Sequence, residues 1–341
     1  MLMSDTLSKP VYCGRFAPSP TGPLHFGSLL AALASFLDAR AHQGRWLLRI
    51  EDLDPPREDP QASSHFQRTL EQFGLHWDGD IRFQSQRAEA YQQALEHLID
   101  TGHAFPCSCS RKQLGGKPHQ GRCTPNPEQS QAWRFLSDHQ PHAFHDRLQG
   151  QYRPTTAQEL DDFIIRRRDT LWSYQLAVVI DDRDQGITHV VRGIDLIDST
   201  PRQIQLQRAF GYPAPEYAHI PVAVERNGQK LSKQNLALAL DGTQRAKTLW
   251  IALDWLQQSP PSELQNASVD ELLEWAIAHW SMAPLAHLTQ SPAPERYQRS
   301  SSGSSLQSSS DSPLQSSSGS SLQSPSSPPS SPPPQSPSQS E

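Results

Sequence analysis

Three groups of residues in this 341-residue chain have types and spacings that could do chemistry. The first is the run Gly14-Arg15-Phe16-Ala17-Pro18-Ser19-Pro20-Thr21-Gly22-Pro23-Leu24-His25-Phe26-Gly27-Ser28, a turn-rich loop that leads into a stretch with helical apolar spacing. A helix N-terminus presents unpaired amides and about half a positive charge, which attracts phosphate. His25 adds a donor, and Gly27 lets a ligand come close to the backbone. Alone, the pattern fits an ordinary helix cap equally well. The second group is Lys230-Leu231-Ser232-Lys233-Gln234, after Asn227-Gly228, with two ammonium groups and a hydroxyl on one short segment. Loop lysines are usually just solvated, but the two motifs together suit a phosphate clamp. The third group is Cys107-Ser108-Cys109 followed by His119 and Cys123. Three thiolates and one imidazole satisfy zinc tetrahedrally with no open position, which describes a structural site. Free thiols beside an unrelated histidine are the alternative, and His103 is a competing ligand that does not match a pair spacing. Cys13 reads as a buried apolar residue.

The elements that must position these groups are partly legible. Val11 to Phe16 reads as a short strand. Leu29, Leu33, Phe36 and Leu37 recur at helical spacing, with Ser28 as the expected N-cap and Gly44 as the stop. Trp46 to Ile50 is apolar apart from Arg49, the mark of a buried parallel strand. The first fifty residues therefore predict β-loop-α-β, half of a mononucleotide-binding unit. Leu176 to Ile180 and Thr188 to Arg192 read as further buried strands. Leu249, Ile251, Leu253, Trp255 and Leu256, then Leu272, Leu273 and Ile277, predict two helices with a proline-bearing break between them.

Composition narrows the class. The segment from Ser300 to Glu341 is Ser, Pro, Gln and Gly with three apolar side chains, Leu306, Leu314 and Leu322, and SSSGSSLQS at Ser300 recurs at Ser316. So few apolar groups cannot build a core or a solenoid, and a disordered tail is expected. No apolar run approaches the ~20 residues that cross a bilayer, and the start has no apolar signal-peptide core. A cytoplasmic protein is expected. The net charge of -6 gives no global pull on nucleic acid, so such a partner needs a local basic surface.

The motifs resemble class I aminoacyl-tRNA synthetases. His25-Phe26-Gly27-Ser28 stands where that class has its HIGH motif, and Lys230 to Gln234 stands at KMSKS. RFAPSPTG at Arg15 to Gly22, RIEDLD at Arg49 to Asp54 and VVRGIDLI at Val190 to Ile197 narrow the resemblance to the glutamate-specific branch. It covers roughly residues 12–240. It implies an α/β fold with a Rossmann-type parallel-sheet catalytic domain, a zinc-bearing insertion, a short C-terminal helical segment and a disordered tail. The corresponding divisions are 1–77 and 169–242 for the two catalytic halves, 78–168 for the insertion, 243–298 for the helical segment and 299–341 for the tail.

The resemblance also implies roles. Arg15, Phe16, Ala17, Pro18 and Ser19 would hold glutamate, with Glu51 facing its ammonium group, Tyr174 lining the pocket and Arg192 pairing with a carboxylate. A zwitterion with an extra carboxylate needs such a set, and guanidinium recognises carboxylate in a fixed, bidentate way. His25, Gly27, Ser28, Lys230, Ser232 and Lys233 would bind ATP with Mg²⁺, and His25 and Lys233 would stabilise charge as the adenylate forms. Cys107, Cys109, His119 and Cys123 would hold one structural Zn²⁺. Ser28 and Gln234 depart from the last residues of the two class motifs. About 60 patterned residues follow Gln234 before the tail, too few for the usual anticodon-binding region. The chain therefore resembles a truncated paralogue within the branch. Such paralogues activate glutamate without tRNA and transfer it to the queuosine base in the anticodon loop of tRNA(Asp). Alternatives are a shortened synthetase charging the 3′ end of tRNA(Glu), or an inactive tRNA-binding paralogue, against which the retained phosphate motifs argue. Arg166, Arg167 and Arg168 offer a contact to RNA phosphate or simply an exposed structural face. The expected partners are ATP, L-glutamate and queuosine-bearing tRNA(Asp), with no membrane, and the expected state is a monomer.

Overall fold

Parallel strands buried on both faces put their carboxyl ends along one edge, and this chain builds its sheet from such strands. The structure, a computed structural model, describes residues 11–231, 240 and 242–298. Ser232, Lys233, Gln234 and the Ser/Pro segment lie outside the described residues. In chain order the elements begin with β1 (Cys13–Phe16), α1 (Phe26–Ala41), β2 (Arg45–Ile50), α2 (Ala62–Gln72), β3 (Arg82–Phe83) and α3 (Ala88–Asp100). Next come β4 (Ala104–Cys107), α4 (Arg111–Leu114), β5 (Ala132–Phe135), β6 (Phe144–Asp146), β7 (Gly150–Tyr152) and β8 (Ile164–Arg166). Then follow α5 (Tyr174–Asp184), β9 (His189–Gly193), α6 (Thr200–Ala209), β10 (Glu216–Ile220), β11 (Val222–Val224), α7 (Arg245–Trp255), α8 (Val269–His279) and β12 (Gln290–Pro292).

β1, β2 and β3 pair in parallel, with Phe16 opposite Leu48 and Ile50 opposite Phe83. A second sheet has the order β7-β6-β10-β9, parallel except at the β6–β7 hairpin. The two meet where Thr188 N donates to Cys13 O at 2.9 Å, so β9 lies beside β1. A third, antiparallel sheet, β4-β5-β8, carries the cysteine segment. β3 and β6–β7, within residues 78–168, pair with strands on either side of that range. The expected α/β class with parallel sheets is what the chain forms.

Some expectations need correction. Val11 is 72% exposed and precedes the strand. Leu176 to Ile180 is not a strand but the centre of α5, with all five residues buried. An apolar run this short fits a fully buried helix as well as a buried strand. Here Ser173 is extended and its carbonyl accepts from Ala177 N at 3.2 Å, starting the helix. Gly44 follows α1, but the left-handed residue is Gln43, at φ 52. What requires glycine at position 44 is the approach of β1, because a Cβ there would sit 2.5 Å from Tyr12 O.

The two C-terminal helices form as read, around the break at Pro260 and Pro261. They pack on α1: the Trp255 ring of α7 meets Phe26 edge-on at 6.4 Å, and Trp280 Nε1, just after α8, donates to Asp38 Oδ1 at 3.1 Å. β12 adds in parallel to β11, so the C-terminal segment shares the core under the first motif. Among the described residues, no helix is long and apolar enough to cross a membrane. Gly44→Ala is expected to lower unfolding stability by about 1–3 kcal/mol, the usual cost of overpacking, in chemical denaturation.

Candidate active site

Arg15 and Phe16 end β1, Glu51 directly follows β2, and Arg192 lies one residue from the end of β9. All four therefore sit at the carboxyl edge of the parallel strands, where open α/β sheets form ligand crevices. The floor is a buried charge cluster. Arg15 Nε donates to Asp182 Oδ1 at 3.2 Å, and Arg49 Nη1 donates to the same oxygen at 2.7 Å. Arg49 also reaches Gln185 Oε1 at 2.8 Å and Glu51 Oε1 at 3.3 Å. Burial favours the neutral form of each carboxyl. At Asp182 the two guanidinium groups outweigh burial and hold the pKa below the usual carboxylate range. At Glu51 burial wins over Arg49 and Arg15, and the pKa is raised.

The loop after β1 is fixed from below. Phe16 is buried and stacks parallel to Trp46 at 6.4 Å. Pro18 O accepts from Glu51 N at 3.0 Å, Ser19 O from Thr21 N at 2.9 Å, and Pro20 O from Asp59 N at 2.8 Å. Ala17 and Pro18 are half-buried and Ser19 is exposed at the rim.

Arg192 is 5% exposed and its donors go to neutral acceptors. Nε donates to His219 Nε2 at 3.0 Å, Nη1 to Tyr174 Oη at 3.0 Å, and Nη2 to Thr200 Oγ1 at 2.8 Å and Leu196 O at 3.3 Å. Among the described residues no carboxylate pairs with it. The structure thus brings Arg192 and Tyr174 together. His219 and Thr200 were not foreseen.

The first phosphate motif is built around a capping box, and the N-cap is His25, three residues before the expected Ser28. His25 Nδ1 accepts from Ser28 N at 3.3 Å, and Ser28 Oγ accepts from His25 N at 3.2 Å. A histidine side chain therefore does what a serine was expected to do, and Ser28 takes the reciprocal N3 position. A Cβ on Gly27 would lie 3.5 Å from Leu231 O, so Leu231 lies against the start of α1. Leu231 N donates to Ala223 O at 2.8 Å, and Leu240 N donates to Leu24 O at 3.1 Å, so both flanks of residues 232–239 are anchored beside this helix start. Lys230 Nζ donates to Asp195 Oδ2 at 2.5 Å.

Cys107, Cys109, His119 and Cys123 converge, with ligand atoms all within 4.8 Å of one another. A zinc tetrahedron with metal–sulfur bonds of about 2.3 Å needs sulfur edges of roughly 3.8 Å, so the set fits a metal ion. His119 Nδ1 lies 3.2 Å from Asp162 Oδ2, which turns Nε2 towards Cys107 Sγ at 3.5 Å. Arg134 Nε donates to Cys107 Sγ at 3.2 Å. A carboxylate behind a ligating histidine is the usual orienting partner in metal sites.

Arg166, Arg167 and Arg168 are each engaged within the fold. Arg166 lies 4.7 Å over the Trp172 ring, Arg167 pairs with Asp169 at 2.6 Å, and Arg168 donates to Ser108 O. The supporting residues Asp182, Gln185, Asp162, Asp195 and His219 were missed because each acts through a partner tens of positions away, which no local spacing reports. Arg49 did leave a signal, a charge within a buried strand. Asp182→Asn should cost about 3–5 kcal/mol near neutral pH, as breaking a buried pair does. Because the folded pKa of Asp182 is depressed, its contribution is complete above the unfolded carboxylate value of about 4 and is lost as pH falls through the lower folded value. Urea titrations across pH should show the gap between variant and parent closing only in acid.

The family model for the catalytic domain of class I tRNA synthetases (E and Q) matches residues 13–134 and 118–248. A Glutamyl-Q tRNA(Asp) synthetase of Thiobacillus denitrificans is 52% identical over 283 residues, covering 80% of this chain and 94% of that protein. Its counterpart from Chromobacterium violaceum is 48% identical over 288 residues, covering 81% and 96%. The crystal structure of glutamate-tRNA synthetase from Elizabethkingia anophelis superposes with a TM-score of 0.70 at 23% identity, covering 84% of this chain and 69% of that one, a likeness of fold. The parallel-sheet fold and these relatives agree: the chain belongs to the glutamyl-Q tRNA(Asp) synthetase family of class I synthetase-like enzymes.

Proposed function

We propose that this chain is a ligase that activates L-glutamate with ATP in the absence of tRNA and transfers the glutamyl group to the queuosine base of tRNA(Asp). The observation that carries the reading is Arg192, a buried guanidinium held by neutral acceptors and without a carboxylate partner among the described residues. A charge placed so is compensated by an anionic ligand. Glu51, held by Arg49, faces the ammonium group of the substrate, and Arg15 with residues 16–19 closes the other side. Tyr174 orients Arg192 and lines the pocket. The α-carboxylate attacks the α-phosphate of ATP, pyrophosphate leaves, and no enzyme nucleophile is needed. His25, Gly27 and Ser28 receive the phosphates on one side. Lys230, Ser232 and Lys233 supply further donors to them, and Mg²⁺ bound with ATP neutralises phosphate charge. The relatives named above support tRNA(Asp) over tRNA(Glu) as acceptor.

Two assays test this reading. Glutamate-dependent ATP–pyrophosphate exchange should proceed without tRNA, and Lys233→Ala should lower its turnover by about 10²-fold or more, the scale of losing one charge-stabilising donor, while changing the glutamate KM little. No exchange at high enzyme concentration sinks the activation step. Queuosine-containing tRNA(Asp) should accept labelled glutamate and queuosine-lacking tRNA(Asp) should not. Equal labelling rejects the proposed acceptor.

We propose further that the Cys107, Cys109, His119 and Cys123 cluster holds one structural Zn²⁺ that ties α4 and its flanking loops to β4. Elemental analysis should find about one equivalent in purified protein, and Asp162→Asn should weaken zinc retention about 10- to 100-fold in chelator competition. A metal-free protein that is fully folded and active removes the ion from the account.

A further inference from the structure

Arg192 lies at one end of a buried polar chain that the substrate reading does not use. Asp146 and His219 have side chains with no solvent exposure, and Asp146 Oδ2 meets His219 Nδ1 at 2.5 Å. The other carboxylate oxygen, Oδ1, is committed to backbone donors: Leu148 N and Gln149 N at 2.9 Å and His219 N at 3.2 Å. On the far side of the ring, Nε2 accepts from Arg192 Nε at 3.0 Å, with Thr200 Oγ1 at 3.3 Å. A guanidinium is always a donor. This contact therefore exists only while Nε2 carries no proton. Nδ1, against a carboxylate, is the nitrogen that holds it.

We infer that Asp146 and His219 are positioning residues for glutamate recognition: Asp146 fixes His219 as the neutral tautomer protonated on Nδ1, and Nε2 of that tautomer orients Arg192 towards the substrate carboxylate. The inference rests on the reading that Arg192 receives a glutamate carboxylate. The groups facing His219 are Asp146 on β6, Arg192 on β9, Asp195 in the turn after β9, Thr200 at the start of α6, and the Phe144 and Tyr217 rings. Burial first, and then Arg192, hold the imidazole pKa below its ordinary value against the pull of Asp146. Burial and the guanidinium thus favour the neutral ring that the Nε2 contact requires. That ring relays the orientation of a buried carboxylate to a guanidinium without neutralising it. A direct Asp–Arg pair would instead consume the charge the substrate needs.

Asp146→Asn separates this role from general stability. Its Oδ1 can keep the three backbone contacts that lock the turn after β6, while an amide N–H replaces Oδ2. That N–H donates to Nδ1, moves the ring proton to Nε2, and sets it against Arg192 Nε–H. The expected results in tRNA-free exchange are a rise of about 10- to 100-fold in the glutamate KM, the scale seen when an orienting carboxylate behind a ligand histidine is removed, with the ATP KM within about twofold. Nitrogen-15 spectra should place the His219 proton on Nδ1 in the parent and on Nε2 in the variant, and thermal melting should confirm that the variant is folded. Arg192→Ala serves as the control. If Arg192→Ala raises the glutamate KM and folded Asp146→Asn does not, the positioning role is overturned and the substrate reading stands. If Arg192→Ala leaves the glutamate KM unchanged, the substrate reading falls and the inference falls with it. A parent His219 protonated on both nitrogens at neutral pH overturns the tautomer assignment by itself.

Discussion

One oxygen of Asp182 takes hydrogen bonds from Arg15 on β1 and Arg49 on β2, and Asp182 itself sits near the end of α5. Three elements far apart in sequence are thereby joined under the crevice by charges that have left water. Such a cluster is tolerated only when every member is paired, because an isolated buried charge costs several kcal/mol. Glu51 completes it through Arg49. The neighbouring Asp181 works in the opposite direction, accepting from Tyr91 Oη at 2.7 Å, Gln84 Nε2 at 2.8 Å and Arg87 Nε at 3.1 Å. Two adjacent carboxylates on one helix thus face two networks. Rotation of α5 would break both, so the floor on which Arg15 and Glu51 stand is rigid before any ligand arrives.

The two sides of the crevice are built on different principles. On the side proposed for glutamate, each side chain is supported by a second buried group: Asp182 behind Arg15, Arg49 behind Glu51, His219 behind Arg192. On the side proposed for the phosphates, the described groups are backbone amides at a helix end and the flanks of one segment. Leu231 and Leu240 fix the flanks of that segment against β11 and the residue before His25. Side-chain shape suits a substrate with three charged groups in fixed positions. A helix terminus suits a diffuse polyanion.

What could be read from sequence was what chemistry makes local. The loop and helix start around His25, the cysteine and histidine spacing and the parallel strands around residues 13–16 and 45–50 are local patterns, and each appears in the fold. The misreadings have physical causes. Leu176 to Ile180 is apolar all round because α5 is buried between α3 and α6, and a buried helix loses the periodicity that identifies it. Asp146, Asp182 and His219 contribute by facing residues tens of positions away, so their importance exists only once the sheets have formed.

Ser28 shows how a departure from a class motif can preserve function through local geometry. Its amide donates to His25 Nδ1 and its hydroxyl receives the His25 amide, so the ring is held at the helix start by both halves of a capping box. A ring bound through Nδ1 turns Nε2 away from the helix. A phosphate seated at this N-terminus would therefore meet Nε2, with the proton that the cap leaves on that nitrogen. The replacement of the last motif residue by a small hydroxyl thus keeps His25 in place at the helix start, while Gly27, without a Cβ, leaves room for Leu231 O to lie against the same turn.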